Sequence, residues 1–216
     1  PRNYNNNSQL VNVRELLGYI PWYFNLPDDN PKYRVAWKKL KDTTGFLAPY
    51  GLTVAERSHP FFKISYEGHE CQWNGPSWPY STSQTLKALS NYLNNYSKNK
   101  SISKDDYYPL LLQYARSHKI LNEKGGKQNW IDENINPFTG DWISRTRLKT
   151  WENGTWSEGK GGKERGKDYN HSSFCDLILS DLLGIKLSID NIIEISPLIP
   201  ENWDWFAVDN IYYQGK

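Results

Sequence analysis

Apolar residues at the three-to-four spacing of an amphipathic helix recur in three stretches of this 216-residue chain, and they constrain its fold more than any other feature. The stretches cover residues 78–96, 103–120 and 169–183. The second opens with "SKDD" at Ser103, which resembles a helix capping box with Asp in place of the usual Glu. Gly184 follows the third stretch and is a suitable helix stop. We therefore predict a mainly α protein.

The segments that connect these helices are long and rich in aromatic residues. Residues 43–75 and 122–168 have no steady period, and unstructured connections of that length are usually functional or disordered. Their aromatic content argues against disorder. Because loops held by a rigid scaffold often carry function, we expect a site at the loop end of the helices.

The two ends of the chain have weaker patterns. A short amphipathic stretch breaks at Pro21, and residues 30–42 carry apolar residues at the spacing of a short helix. From residue 191 the chain is rich in Ile and aromatic residues and is interrupted by Pro197 and Pro200. That composition predicts short strands or extended segments.

Charge and hydropathy argue against several function classes. The net charge is +2 and the mean hydropathy is −0.78, with no apolar run near the roughly 18 residues of a membrane helix. The basic cluster at Glu158–Lys167 is rich in glycine, so we interpret it as a solvated loop rather than a phosphate-binding patch. We expect neither a nucleic-acid nor a membrane partner. The chain begins at Pro1 and contains no Met, which predicts a processed chain or a fragment.

Trp and Tyr are unusually frequent, with 10 Trp and 15 Tyr against 7 Phe. Each combines a flat apolar face with a polar group. Sugar rings present C–H faces and hydroxyl edges, which such side chains match. The composition therefore indicates either a carbohydrate-binding surface or a large aromatic core.

Cysteine and histidine spacing gives no metal or redox motif. Cys71 and Cys175 form no CxxC pair, and the four histidines fit no HExxH pattern. A disulfide between the two cysteines is one alternative, but no pattern supports it, and we expect two buried free thiols, no metal and no cofactor.

One carboxylate stands out as a candidate catalytic group. Glu133 in "NWIDENINPFTGDW" lies between Trp130 and Trp142, and the "NPFTG" that follows favours a turn. Hydrolysis of a glycosidic bond commonly uses two carboxyl groups, one as acid and one as base or nucleophile. Asp132 and Asp141 could take the same role, and the segment could instead be a surface turn.

Three further polar residues are candidates for substrate binding. Glu56 and Arg57 lie together in an aromatic loop, where they could bind sugar hydroxyls or form a structural ion pair. His171 lies at the start of the third helix and could bind substrate or cap that helix.

Three motifs occur in an order that resembles the C-terminal half of the (α/α)6-barrel, or six-hairpin, glycoside hydrolases. They are "WNGPSWPYSTSQTLKAL" from Trp73, "ENINPFTG" from Glu133 and "DYNHSSFCDLIL" from Asp168. The resemblance is to the group around glycoside hydrolase family 63 and the mannosylglycerate hydrolase-like domains. It covers about Leu17 to the C-terminus.

The resemblance implies specific roles for these residues. In such enzymes the W-x-G-P-x-W segment lines a sugar subsite, and the Glu of the second motif is the general base. Carried over, Glu133 is the base, and the residues of the subsite wall are Trp73, Asn74, Gly75, Pro76 and Trp78. Pro76 and Pro79 would stiffen the approach to the helix, and Gly75 would let the backbone turn closely, so that both tryptophans present flat faces to a sugar. The two rings could instead serve packing alone.

One family motif is missing from this sequence. The general acid in these enzymes is an Asp in an upstream S-G-W/M-D motif, which does not occur here. We therefore expect residues 1–187 to be the C-terminal part of an (α/α)6 toroid of antiparallel helical hairpins. Residues 188–216 would begin a β-rich element. The expected partners are a glycoside or oligosaccharide substrate and the N-terminal part of the same catalytic domain.

The resemblance implies an inverting glycosidase that acts on an α-linked sugar in the periplasm or outside the cell. Two alternatives stay open from the residues. A non-catalytic carbohydrate-binding protein would keep the aromatic wall without a positioned carboxylate. A helical interaction scaffold would bury Trp73, Trp78 and Trp130 in packing.

Overall fold

Two long helices form the centre of the fold in the computed structural model, which describes residues 12–65, 72–98, 100–121, 124–143, 168, 173–190 and 192–213. Helix α3 spans Pro79–Asn95 and helix α4 spans Lys104–Ser117. At the start of α4, Ser103 and Asp106 form a capping box, in which the Asp carboxylate accepts the Ser103 backbone N–H at 2.8 Å. The sequence prediction for α3 is confirmed. The prediction for α4 is confirmed as far as Ser117 and is wrong at its end, because Ile120 pairs with Gln128 in a β-strand instead of continuing the helix.

The other helical segments are short. Near the N-terminus a 3-10 turn, Leu16–Tyr19, leads into α1, Ile20–Tyr23, and α2, Pro31–Arg34, continues as a 3-10 helix over Val35–Leu40. Helix α5, Phe174–Asp176, continues as a π-helix over Leu177–Leu182. The third predicted helix is therefore confirmed over Phe174–Leu182, and its predicted start at residues 169–172 lies outside the described residues. Gly184 follows its end at φ +68°, a conformation that favours glycine.

The described part of the chain contains three two-stranded antiparallel sheets. Strand β1, Leu47–Ala48, pairs with β2, Gly51–Leu52, and β3, Lys119–Leu121, pairs with β4, Lys127–Asn129. Strand β5, Ile185–Leu187, pairs with β6, Ile193–Ile195, which confirms short strands near the C-terminus. The β3–β4 hairpin was not predicted. The domain boundary at residues 187/188 stays a prediction, and β5 and β6 pair across it.

The main core lies between α1, α3, α4 and the π-helix and is rich in aromatic rings. Trp37 is fully buried, and its ring centroid lies 4.6 Å from Tyr19, 4.9 Å from Tyr92 and 5.3 Å from Trp22. Each of the three main helical elements adds buried side chains to this core: Leu86, Leu89 and Tyr92 of α3, Tyr107 and Leu111 of α4, and Leu177 and Leu182 of the π-helix. Part of the Trp and Tyr excess therefore serves packing.

The described residues form a mainly α fold. No helix among them is long and apolar enough to cross a membrane. Cys175 is a free thiol but is exposed, so the prediction of a buried thiol is wrong there: the residue lies in the short helix α5 and outside the core. Cys71 lies outside the described residues.

Candidate active site

Three loop segments that are distant in the sequence meet at Ser77. Its backbone N–H donates to the carbonyl of Ile135 at 3.0 Å, and the N–H of Ile135 donates back at 2.9 Å. Isolated β-bridges also join Ser77 to Thr53 and Ile135 to Trp142. The segments predicted as irregular loops are therefore held together by backbone hydrogen bonds just ahead of α3, which gives the candidate side chains a fixed support.

Two tryptophans of the first motif stack on each other. The rings of Trp73 and Trp78 have centroids 4.0 Å apart and planes inclined by 23°. Trp78 is 2% exposed, and its indole N–H donates to the carbonyl of Gln72 at 2.8 Å. Trp73 is 40% exposed. The buried ring thus supports an aromatic surface that stays open to solvent.

The residues between these tryptophans form a tight backbone crossing. A Cβ on Gly75 would lie 1.9 Å from the carbonyl oxygen of Lys63, so no side chain fits there. On either side, the Lys63 N–H donates to the carbonyl of Asn74 at 3.1 Å, and the Asn74 side-chain amide donates to the Phe61 carbonyl at 3.0 Å. Pro76 is buried and its carbonyl accepts the N–H of Val54 at 3.2 Å.

Glu133 lies on the second segment of this junction, two residues before Ile135. It is 3% exposed, and its backbone N–H donates to the carboxylate of Asp132 at 2.6 Å. A small apolar cluster holds this segment, consisting of Ile120, Trp130, Ile131, Ile135 and Trp142. Both tryptophans that flank Glu133 in the sequence are therefore buried in packing.

The two competing aspartates have different surroundings. Asp132 is fully buried beside Glu133. Asp141 is exposed, and its carboxylate accepts the Thr139 hydroxyl at 3.0 Å. The turn predicted between Asp132 and Asp141 is present, since the Gly140 N–H donates to the Asn136 carbonyl at 2.9 Å. Glu133 and Asp132 are therefore buried on this segment, whereas Asp141 is open to solvent.

Glu56 makes an ion pair, and its partner is Arg14 rather than the adjacent Arg57. The Arg14 guanidinium lies 2.7 Å from the Glu56 carboxylate, with side chains 60% and 6% exposed. Arg57 instead donates to the Leu47 carbonyl at 2.7 Å, and its guanidinium lies 4.8 Å from the ring centroid of Phe138. Both polar side chains thus fasten the loop. His171 lies outside the described residues.

A cavity of about 310 Å³ borders the same junction, and sequence reasoning missed it. Ile135 and Trp142 form one side, and the exposed cations Arg116, Lys119 and Lys127 lie around it. Two of these cations belong to the β3–β4 hairpin. The sequence signal for this hairpin was the Gly125–Gly126 pair, because adjacent glycines between two short segments favour a hairpin turn.

Within the described ranges, no group of three His, Cys, Asp or Glu side chains is placed to hold a metal ion. The arrangement that remains is a buried carboxyl pair on one segment and a stacked aromatic surface on another. Ser77 and Ile135 join the two segments directly.

Comparison with known proteins gives a consistent result. Residues 2–172 match the family model described as the mannosylglycerate hydrolase MGH1-like glycoside hydrolase domain. A solved structure titled "Sialidase" is 41% identical and superposes with a TM-score of 0.77 over 99% of this chain. The chain spans only 18% of that structure's chain. No curated protein matches.

Proposed function

Because this chain belongs to the family of MGH1-like glycoside hydrolase domains, we propose that it supplies the general base and a sugar-binding wall of an inverting glycosidase that acts on an α-linked sugar. The observation that supports this most is the burial of Glu133 on a segment bonded to the one that carries Trp73 and Trp78. The barrel expected from the sequence, an (α/α)6 toroid, is part of the same proposal.

In the proposed reaction, Glu133 accepts a proton from a water molecule whose oxygen attacks the anomeric carbon. The bond from that carbon to the leaving oxygen breaks, and a second carboxyl group protonates the leaving oxygen. Inversion requires the two carboxyl groups to lie about 6.5–9.5 Å apart, so that the water fits between them. We propose that the second carboxyl comes from the N-terminal part of the same catalytic domain.

The stacked tryptophans would bind the sugar ring next to this base. Trp73 offers an open face, and Trp78 fixes its position through the stack and through the hydrogen bond to Gln72. The C–H face of a pyranose can pack on such a ring while its hydroxyls reach polar neighbours.

We also propose that the protein acts in the periplasm or outside the cell, on the basis of the expected substrate class. Cell fractionation tests this location.

A non-catalytic carbohydrate-binding protein is the second candidate. The exposure of Trp73 favours it as much as it favours the enzyme, because both need an open aromatic face. The interaction scaffold explains the burial of Trp78 and Trp130, but it leaves the exposed, supported Trp73 unexplained.

The test is hydrolysis of α-linked glycosides by the gene product that contains this chain, with Glu133→Gln compared to wild type. Loss of a general base typically costs about 10²–10⁴-fold in rate, so kcat should fall by that factor while sugar binding persists. Glu194→Gln, on the exposed strand β6, is the matched control and should keep full activity. Unchanged kcat in Glu133→Gln contradicts the assignment of the base. Binding without any hydrolysis in the wild type favours the second candidate.

A further inference from the structure

A second polar cavity lies between α3, α1 and the α5–π-helix segment. Its volume is about 390 Å³, and it is bordered by Tyr23, Tyr80, Gln84, Lys87 and Asp181. Tyr80, Gln84 and Lys87 share one face of α3, because they are three to four residues apart. None of the residues that form the Ser77 junction borders this cavity. It is therefore a separate feature of the helical core.

At the base of this cavity lies a buried carboxylate that is only half satisfied. One Asp181 oxygen, Oδ1, accepts the Lys87 ammonium at 2.6 Å and the Ser90 hydroxyl at 2.8 Å. The other, Oδ2, has no hydrogen-bond partner, although the residue is 1% exposed. Burial raises the pKa of Asp181, and the Lys87 partner opposes that rise. A buried acceptor without a donor is costly to leave unpaired.

A second acceptor beside it is also unpaired. The side-chain oxygen of Gln84 is buried and has no hydrogen-bond partner. Gln84 precedes Lys87 by one turn of α3, and both Gln84 and Asp181 border the same cavity. The buried carboxylate of Glu56 is paired with Arg14, whereas these two acceptors have no donor, which points to donors that a ligand provides.

The charges around the cavity limit the chemistry of that ligand. Lys87 and Asp181 form a pair that is neutral as a whole, so Asp176 leaves the cavity with one net negative charge, which disfavours an anion. A neutral ligand with several hydroxyl groups can donate to both acceptors without that penalty. The two bordering tyrosines, Tyr23 and Tyr80, are partly exposed and offer flat apolar faces.

We propose that this cavity is a second carbohydrate-binding site, in which hydroxyl groups of a sugar ring donate to Asp181 and Gln84. The choice of a sugar rather than another polyol rests on the proposed function. The site itself does not involve Glu133 or the stacked tryptophans, so it would act as an additional binding position in the same protein.

The test is a titration of the ¹⁵N-labelled gene product that contains this chain, with methyl α-D-mannopyranoside as the probe and amide shifts as the readout. Saturable shifts are expected in residues 83–87 and 180–182. Gln84→Leu removes one acceptor and no existing hydrogen bond, so it should fold and raise Kd by about three- to tenfold. Asp181→Asn, which loses a charged acceptor, should raise Kd by about ten- to a hundredfold. Gln128→Leu and Asp204→Asn alter exposed positions away from the cavity and should leave Kd unchanged.

Three results overturn the proposal. They are an absence of saturable shifts in these residues, an unchanged Kd in both Gln84→Leu and Asp181→Asn, and equal shifts with methylamine or acetate as the probe. The Glu133→Gln variant separates this site from the proposed catalytic one. It should lower kcat by about 10²–10⁴-fold and keep the shifts around Asp181, whereas Gln84→Leu should weaken those shifts and leave kcat unchanged. Failure of either proposal is thus visible without the other.

Discussion

Replacement of Gly75 by alanine tests whether the candidate site depends on the backbone crossing below Trp73. The new Cβ would lie 1.9 Å from the Lys63 carbonyl oxygen, 2.7 Å from the carbonyl carbon and 3.0 Å from the Ile64 Cδ1 atom. The first two neighbours are backbone atoms, which no rotamer change can move. The two backbone segments that cross here, around Lys63 and Gly75, must therefore separate by more than an ångström.

That separation has a calculable cost. It would break the hydrogen bonds from the Lys63 N–H to Asn74 and from the Asn74 side chain to Phe61, which together contribute about 2 kcal/mol. Overpacking adds about 1–3 kcal/mol. We expect Gly75→Ala to lower the free energy of unfolding by about 3–5 kcal/mol, and with an m-value of about 3 kcal/mol per M the urea midpoint falls by about 1–1.7 M.

Gly18→Ala is the matched control for this experiment. No atom lies within 4 Å of a Cβ built at Gly18, and its φ is not positive. Alanine there should leave the midpoint unchanged or raise the stability by about 0.4–1 kcal/mol. Urea unfolding followed by tryptophan fluorescence measures both variants. A loss of under 1 kcal/mol in Gly75→Ala would refute the close crossing and with it the fixed position of Trp73.

Two further predictions concern buried carboxylates. Arg14→Met should destabilise the protein by about 1–2 kcal/mol in thermal or urea unfolding, because the buried Glu56 carboxylate then keeps only the backbone N–H of residue 14 as a donor. Arg14→Lys, which keeps the positive charge, is the control. Equal stability of wild type and Arg14→Met would contradict this reasoning. Asp181 has a folded pKa above its ordinary value of 3.8, so its contribution to stability is fully present below pH 3.8 and is lost as pH rises through the raised pKa. The free energy of unfolding of wild type relative to Asp181→Asn should therefore fall across that window, and a difference that stays constant or rises would be inconsistent with a raised pKa.

The helices were predictable because their information is local. Apolar spacing identified α3, and the capping box at Ser103 marked the start of α4. The apolar face predicted for the third helix included Leu177 and Leu182, which are also buried in the π-helix, so the sequence pattern did not distinguish the two helix types. The β3–β4 hairpin was missed because its strands are only three residues long and β4 is exposed at every position.

The candidate site was predictable in its residue types and less so in its geometry. The motif from Trp73 to Trp78 indicated an aromatic wall, but the sequence could not show which ring is open and which is support. The ion pair of Glu56 with Arg14 joins residues far apart in the chain, and no local signal marks it. The half-satisfied Asp181 was equally hidden, because it occupies an ordinary core position of a predicted helix.

The excess of tryptophan over phenylalanine has a physical reason that burial alone does not provide. Trp37 fills the main core, and its indole N–H has no hydrogen-bond partner there, so at this position only the size of the ring matters. Trp78 and Trp142 are equally buried, yet their indole N–H groups donate to the carbonyls of Gln72, in a loop, and of Lys119, in β3. A phenylalanine is smaller and has no N–H group, so it could not make these hydrogen bonds. The indole groups therefore fix long loops that have little regular structure, and this rigidity is what an open ring at Trp73 needs in order to hold a sugar at a defined place.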